Sequence, residues 1–325
     1  MSTPFSVAGK TAIITGAGSG INFAFARLLL SKNCNVVIAD LALHPEAEKH
    51  YASLVASPRA VFCKTDVTSW AALENVFAVA IAEFGQFDIL CAGAGIFEPP
   101  YSNFWYPPGT PKSKDARHGD RYLTMDVNTT HPIRSTQLAI SHFLNPPAGK
   151  ESVSTTNPKR VVICGSIAGQ VSALSYPLYF ASKHAISGFV RSLGSLEETG
   201  IRVAAVAPGL VLTPLITDAP DKARMVDFST DKYITPEEVA KNLLRLCEDE
   251  EIGGGTILEI AAGGKTRKVE PLNDPGPQGE GHTTSHGGVV VDEEGVSFEA
   301  VACFCVISGE LAPSRLEIST VALPG

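Results

Sequence analysis

Positive charge is in short supply. Lys and Arg number 26 against 34 Asp and Glu, a formal net charge of −8 over 325 residues. Without a basic stripe, the chain has no electrostatic footprint for nucleic acid or for an anionic membrane surface. Apolar runs of membrane-spanning length are also missing, so no transmembrane segment is expected. The first residues, MSTPFSVAGK, lack the charged-then-apolar pattern of a secretory leader, and the final Leu-Pro-Gly is no peroxisomal address. The expected location is cytoplasmic. No disulfide framework is visible. Seven cysteines lie scattered at 34, 63, 91, 164, 247, 303 and 305, mostly in apolar runs. An odd count without framework spacing predicts buried free thiols in a reducing compartment. Cys303 and Cys305 stand close together, but no matching His or Cys accompanies them, and no metal site is expected. No internal repeat is present.

What the chain does have is bulk and alternation. Hydrophobic residues make up 44%, enough for one large α/β domain with a substantial core. Short β-rich runs are predicted as strands over 10–15, 35–39, 60–64, 87–92, 160–165, 202–207 and 256–261. Helical patterns fall between them, over 21–32, 71–84, 123–143, from Tyr179 to about 198, and over 236–248. Thr235 and Pro236 supply that last helix with an N-cap and a first-turn proline. This alternation predicts a single doubly wound Rossmann-type α/β domain around a seven-stranded parallel sheet, spanning residues 1–272. Two loops look inserted, 98–121 and 145–159. Residues 273–325 turn to Gly, Pro and His and are expected to form a poorly ordered extension.

The first strand runs into Thr15-Gly16-Ala17-Gly18-Ser19-Gly20, which opens a helix. Glycines in that context let a backbone approach a pyrophosphate, and the helix N-terminus offers free N–H groups and a positive dipole end. Asn22 stands where a third glycine is expected. It could crowd the helix against the sheet or offer a cofactor another hydrogen bond. Asp40 ends the second strand, about twenty residues on. An acid there can bind the adenosine ribose hydroxyls and repels a 2′-phosphate, which favours NAD over NADP. A strand-end Asp also caps turns. Asp66-Val67 fits a contact to an adenine ring, and a helix cap fits equally.

Tyr179 and Lys183 sit four residues apart on a predicted helix, thirteen residues and more past Ser166. Positions i and i+4 share a face, so the phenol and the ammonium can converge. A cation held beside a phenol favours the phenolate and moves its pKa toward neutrality. The Ser166 hydroxyl, at the end of a strand, can orient a substrate oxygen. Each residue has a plainer reading: a turn serine, a packed tyrosine, a solvated lysine.

Taken together, the TGAGSG turn, Asp40, Asp66-Val67, an Ala-Gly run after the fourth strand, Asn128, Ser166, Tyr179, Lys183, and Pro208-Gly209 with Thr213 resemble the short-chain dehydrogenase/reductase family. The resemblance covers about residues 6 to 264 and is nearest to fungal members like 15-hydroxyprostaglandin dehydrogenases. It implies Tyr179 as general acid/base, Lys183 as its partner on the nicotinamide ribose, and Ser166 on the substrate oxygen. Asn128 would hold a water that links Lys183 to solvent. Gly16, Ser19, Gly20, Ile21, Asp40, Asp66, Val67, Asn128, Tyr179, Lys183, Pro208, Gly209, Val211 and Thr213 would contact NAD. The family's Asn-Asn-Ala-Gly reads Ala92-Gly93-Ala94-Gly95 here. That puts side-chain contacts from this segment in doubt, while backbone contacts could survive.

The resemblance further implies a homodimer or homotetramer acting on a small molecule. Phe97, Tyr101, Phe104, Trp105 and Tyr106, with the segment 215–233 as a lid, would favour a bulky hydrophobic alcohol or ketone. A tailoring step on a secondary metabolite fits that expectation. A non-catalytic dinucleotide-binding sensor or scaffold is the competing reading.

Overall fold

All five positions of Thr11–Thr15 (β1) and all eight of Ile201–Pro208 (β6) are buried. Strands of that kind need cover on both faces, which a parallel sheet flanked by helices provides. In the computed structural model, which describes residues 4–54, 58–217 and 232–271, that is the arrangement. After β1 come α1 (Gly20–Ser31), β2 (Asn35–Asp40), α2 (Pro45–Ala52), β3 (Ala60–Lys64), α3 (Trp70–Phe84) and β4 (Ile89–Ala92). The next helix, α4, runs through Leu123–Met125, a π turn at Asp126–Thr130, and His131–Leu144. Then follow β5 (Lys159–Cys164), α5 (Pro177–Ser192), β6, the short α6 (Pro214–Thr217), α7 (Pro236–Glu248), β7 (Ile257–Ala261) and β8 (Lys265–Lys268).

The sheet order is β3-β2-β1-β4-β5-β6-β7-β8. The chain reverses direction across the sheet between β1 and β4, and a crevice opens beyond the strand ends there. Alternation along the strands splits the core in two. Ile14, Val36 and Ile38 meet Phe25 and Leu29 of α1 and Leu243 of α7 on one face. Ile13, Val37 and Leu90 meet Phe77 of α3, Phe143 of α4 and Ile186 of α5 on the other.

The seven-stranded parallel sheet expected from sequence is corrected to eight strands. The eighth, KTRK, pairs antiparallel with β7 through a turn in which Gly263 and Gly264 have φ of 76 and 72°. It is an edge strand with three of four residues exposed. No apolar alternation marks it because neither face needs burying, and its cations protect an open edge. Arg267 pairs with Glu259 on β7. α2 was not expected either. Its only sequence signal is Pro45 behind His44, whose side chain accepts from the Glu46 N–H. The helix predicted to about 198 ends at Ser192 and continues as a 3-10 stretch, Gly194–Thr199. The extension over 273–325, the Cys303–Cys305 pair and 218–231 of the expected lid lie outside the described residues. Among the described residues no helix is long and apolar enough to cross a membrane, and no cluster of His, Cys, Asp or Glu could hold a metal.

Candidate active site

Gly16 and Gly20 have φ of 75 and 58°, the left-handed region that glycine tolerates. A Cβ on Gly18 would stand 2.2 Å from the Ala42 carbonyl oxygen and 2.8 Å from Asp40 Oδ2. Only glycine lets the turn close on Asp40, whose Oδ2 accepts the Gly18 N–H at 2.8 Å. Oδ1 accepts the Leu41 N–H at 2.7 Å. Asp40 is therefore a turn residue as well as a lining residue of the cleft. α1 begins without a side-chain cap from Ser19 and without an acid in its first turn. Its leading N–H groups stay open to an anion, and nothing offsets the positive end of its dipole. Thr213 packs on this turn, 3.3 Å from where a Gly20 Cβ would be. These residues suit a dinucleotide: a bare glycine turn, an uncapped helix and an acid at the second strand's end.

Two supports of the cleft floor, one on the turn and one on the loop after β4, carry no sign in the sequence. The Tyr51 hydroxyl, on the unexpected α2, donates to the Ala17 carbonyl at 3.0 Å. Burial pushes that phenol well above its ordinary pKa and keeps it a donor. Thr15 Oγ1 accepts the Gly93 and Ala94 N–H groups at 2.9 and 3.2 Å. The segment without the family's asparagines is thus held through its backbone. Asp66 caps its own turn: Oδ1 accepts the Thr68 N–H and hydroxyl at 2.9 and 2.8 Å. Asp66 and Val67 nonetheless line the same cleft, as do Pro208, Gly209 and Val211.

The cleft holds about 610 Å³. At its inner end stand Ser166, Tyr179 and Lys183, brought there by β5 and α5. Ser166 follows β5, and its Oγ accepts the Ala168 N–H at 3.1 Å. Burial raises the Tyr179 pKa, and a hydrogen bond with Ser166 offsets part of that rise. Burial lowers Lys183 to about 8. Its Nζ donates to the Cys164 carbonyl at 3.0 Å and lies 5.6 Å from the Tyr179 ring centroid. The expected lowering of the phenol by Lys183 is therefore not what the chain by itself produces. Desolvation pushes both groups toward their neutral forms. At neutral pH the phenol is protonated and the amine charged.

The Asn128 side chain makes contacts that the sequence does not announce. Its Oδ1 accepts the Ile96 N–H at 2.8 Å, and its Nδ2 donates to the Ile96 carbonyl and to Ser182 Oγ at 2.8 and 3.2 Å. Ser182 Oγ donates in turn to the Tyr179 carbonyl at 2.6 Å. The side chain clamps the loop after β4 to the helix that carries Tyr179. A π turn at this point changes the helix register around Asn128.

Glu98 was not singled out from sequence. It is fully buried, and its φ of 31° is unusual for a non-glycine. Its Oε1 accepts the Phe104 N–H at 3.0 Å and its Oε2 the Tyr179 N–H at 2.9 Å. One carboxylate thus ties the inserted loop to the first turn of α5, where a negative charge is favoured. Nothing in the sequence marks Glu98 as buried, since its partners are backbone amides, one of them 81 residues away. Glu98→Ala orphans both amides, and a loss of ~1–3 kcal/mol in stability is expected by denaturant unfolding. A loss under ~0.5 kcal/mol would refute this account of the loop.

Of the five aromatics expected to shape the pocket, Phe97 and Tyr101 line the cleft. The Phe97 ring meets that of Tyr179 edge-on at 4.5 Å. Phe104 and Trp105 are half exposed, and Trp105 Nε1 donates to the Leu174 carbonyl at 2.9 Å. Trp105 thereby ties the loop to the Leu174 segment.

A family model described as short chain dehydrogenase matches residues 10–224. The chain is 26% identical over 270 residues to the Homo sapiens protein named 15-hydroxyprostaglandin dehydrogenase (NAD(+)), covering 78% of this chain and 91% of that protein. It is 31% identical over 261 residues to the cis-4-hydroxycyclohexanecarboxylate dehydrogenase of Sinomonas cyclohexanicum, covering 78% and 96%. Among solved structures, a Brucella melitensis 3-ketoacyl-(acyl-carrier-protein) reductase complexed with NADH superposes with a TM-score of 0.64 at 23% identity. It covers 79% of this chain and 99% of that one, and at that identity it speaks for the fold alone.

Proposed function

The chain belongs to the short chain dehydrogenase family, and from that premise we propose that it is an NAD-dependent oxidoreductase interconverting a secondary alcohol and a ketone. The observation that carries the proposal is one cleft with two ends. The uncapped α1 turn and Asp40 line it, and so do Ser166, Tyr179 and Lys183. A bound nicotinamide supplies the hydride acceptor or donor. The chain's own residues do the rest. Ser166 orients the substrate oxygen. Tyr179 takes the proton of that oxygen as the phenolate, having first lost its own proton to solvent, and returns it as the phenol; its hydrogen bond with Ser166 favours the anionic form. Lys183 keeps a positive charge near the phenol below about pH 8. Asn128 and Glu98 hold the helix and the loops that bear these groups.

NAD is favoured over NADP because a 2′-phosphate beside Asp40 would meet a carboxylate. The human relative named for NAD(+) agrees with that choice. The substrate we infer is bulky and hydrophobic, since Phe97, Tyr101, Ile167, Phe180 and Leu215 line the cleft. A tailoring step on a secondary metabolite would act on such a molecule. Calorimetric titration of wild type and Asp40→Ala with NADH and NADPH tests the cofactor assignment. Wild type is expected to bind NADH at least ~10-fold more tightly, and the variant to lose most of that ratio. An unchanged ratio would remove Asp40 from cofactor selection. A screen of hydrophobic secondary alcohols with the preferred cofactor tests the substrate class.

A further inference from the structure

Asn22 is 7% exposed and lines the cleft from the first turn of α1. Its Oδ1 accepts from two thiols, Cys164 Sγ at 3.3 Å and Cys91 Sγ at 3.8 Å. With the oxygen set against the thiols, the amide nitrogen takes the other side. Nδ2 is then directed to the glycine turn, 3.0 Å from where a Gly16 Cβ would stand. Among the described residues no group accepts from Nδ2. A nearly buried amide with one half satisfied and the other aimed at a cleft is a donor awaiting a partner. Gly93 is its counterpart. A Cβ there would lie 2.2, 2.4 and 2.5 Å from Asn22 Oδ1, Cγ and Nδ2. No side chain at 93 can coexist with this placement of Asn22.

We propose that Asn22 is a cofactor-binding side chain, its Nδ2 donating to an oxygen of the dinucleotide backbone over Gly16, and that residue 93 is glycine to admit it. The proposal rests on the dinucleotide reading above. It makes the two departures from the family pattern a single compensated change. The glycine lost from the turn is recovered in the loop after β4, and the side chain lost from that loop reappears on α1.

Two readouts test it on the full chain: NADH affinity by calorimetry, and the melting temperature without ligand. Asn22→Ala is expected to bind NADH ~10-fold more weakly. Asn22→Asp keeps the shape but sets an anion beside the diphosphate, and its loss should be larger. Gly93→Ala is expected to lower the melting temperature in the wild-type background and to be nearly neutral alongside Asn22→Gly. That double variant recovers the melting temperature but not the affinity. Folded Asn22→Ala and Asn22→Asp proteins that bind NADH as wild type does would overturn the ligand assignment. A Gly93→Ala melting temperature equal to wild type would overturn the steric half. Wild type that binds neither NADH nor NADPH would overturn the dinucleotide reading and the ligand assignment with it. The 22–93 coupling would still show in the melting temperatures, which separates the two failures.

Discussion

Tyr179→Phe is expected to abolish measurable oxidation of any accepted alcohol, a loss of roughly 10²- to 10⁴-fold or more, while NADH binding persists. The substitution removes one oxygen from a ring whose position is set by other contacts. Phe97 packs edge-on against it, and the Tyr179 amide is held by Glu98 Oε2. The fold therefore has no reason to change, and a kinetic loss reports the proton alone. Ser166→Ala is a useful companion, because Ser166 is the hydrogen-bond partner that offsets the burial of the phenol. The measurement is steady-state turnover at saturating NAD beside calorimetry of NADH binding. Turnover that survives Tyr179→Phe would remove this residue as the acid/base. A wild type that binds NADH yet turns over nothing across a broad alcohol screen would instead favour the sensor or scaffold reading. Against that reading stands the pairing of Asn22 with Gly93, which leaves the glycine turn intact rather than damaged.

The second large effect lies away from the cleft and concerns stability. Asp88 is 1% exposed, just before β4. Its Oδ1 lies 2.6 Å from Lys159 Nζ, itself almost wholly buried, and 3.7 Å from Lys10 Nζ. Its Oδ2 accepts the Thr11 N–H at 3.2 Å. One carboxylate thus joins the starts of β1, β4 and β5. Asp88→Ala leaves an ammonium buried without its counter-charge, and ~3–5 kcal/mol of stability should be lost in denaturant unfolding. Replacing both partners, as in Asp88→Leu with Lys159→Met, should cost far less, because no buried charge then remains. A single-variant loss below ~1 kcal/mol would mean that water reaches Lys159 or that the ion pair is dispensable. Lys159 opens β5 and Ser166 follows its other end, so NADH affinity of the folded variant should match wild type.

Several layers of this protein are local in the chain, and those were legible. Strand and helix alternation follows from the periodicity of apolar residues. The glycine turn is read from a strand before it and a helix after it. Tyr179 and Lys183 are placed together by helical spacing, because i and i+4 share a face in any helix. The resemblance to the dehydrogenase family rests on motifs of that local kind, and the match over residues 10–224 bears it out.

What escaped was set by contacts between distant segments. KTRK carries no strand pattern because an exposed edge buries nothing, so only its pairing with β7 defines it. Glu98 looks like a loop carboxylate until the fold brings the Tyr179 amide to it from 81 residues away. Asn128 carries no local sign of its partners, and only the tertiary structure brings its amide to Ile96 and Ser182. The Tyr179 pKa moves up rather than down, since desolvation depends on what surrounds the ring and not on which residue sits four places away. Asn22 and Gly93 read separately as two defects; the sheet brings them together in the space of one side chain. By itself the sequence determined the fold class, the glycine turn and which residues are proposed as the reactive groups, because local geometry suffices for each. Only the tertiary structure decided their charge states, their supports and whether departures compensate, because burial and contact are properties of the packed molecule.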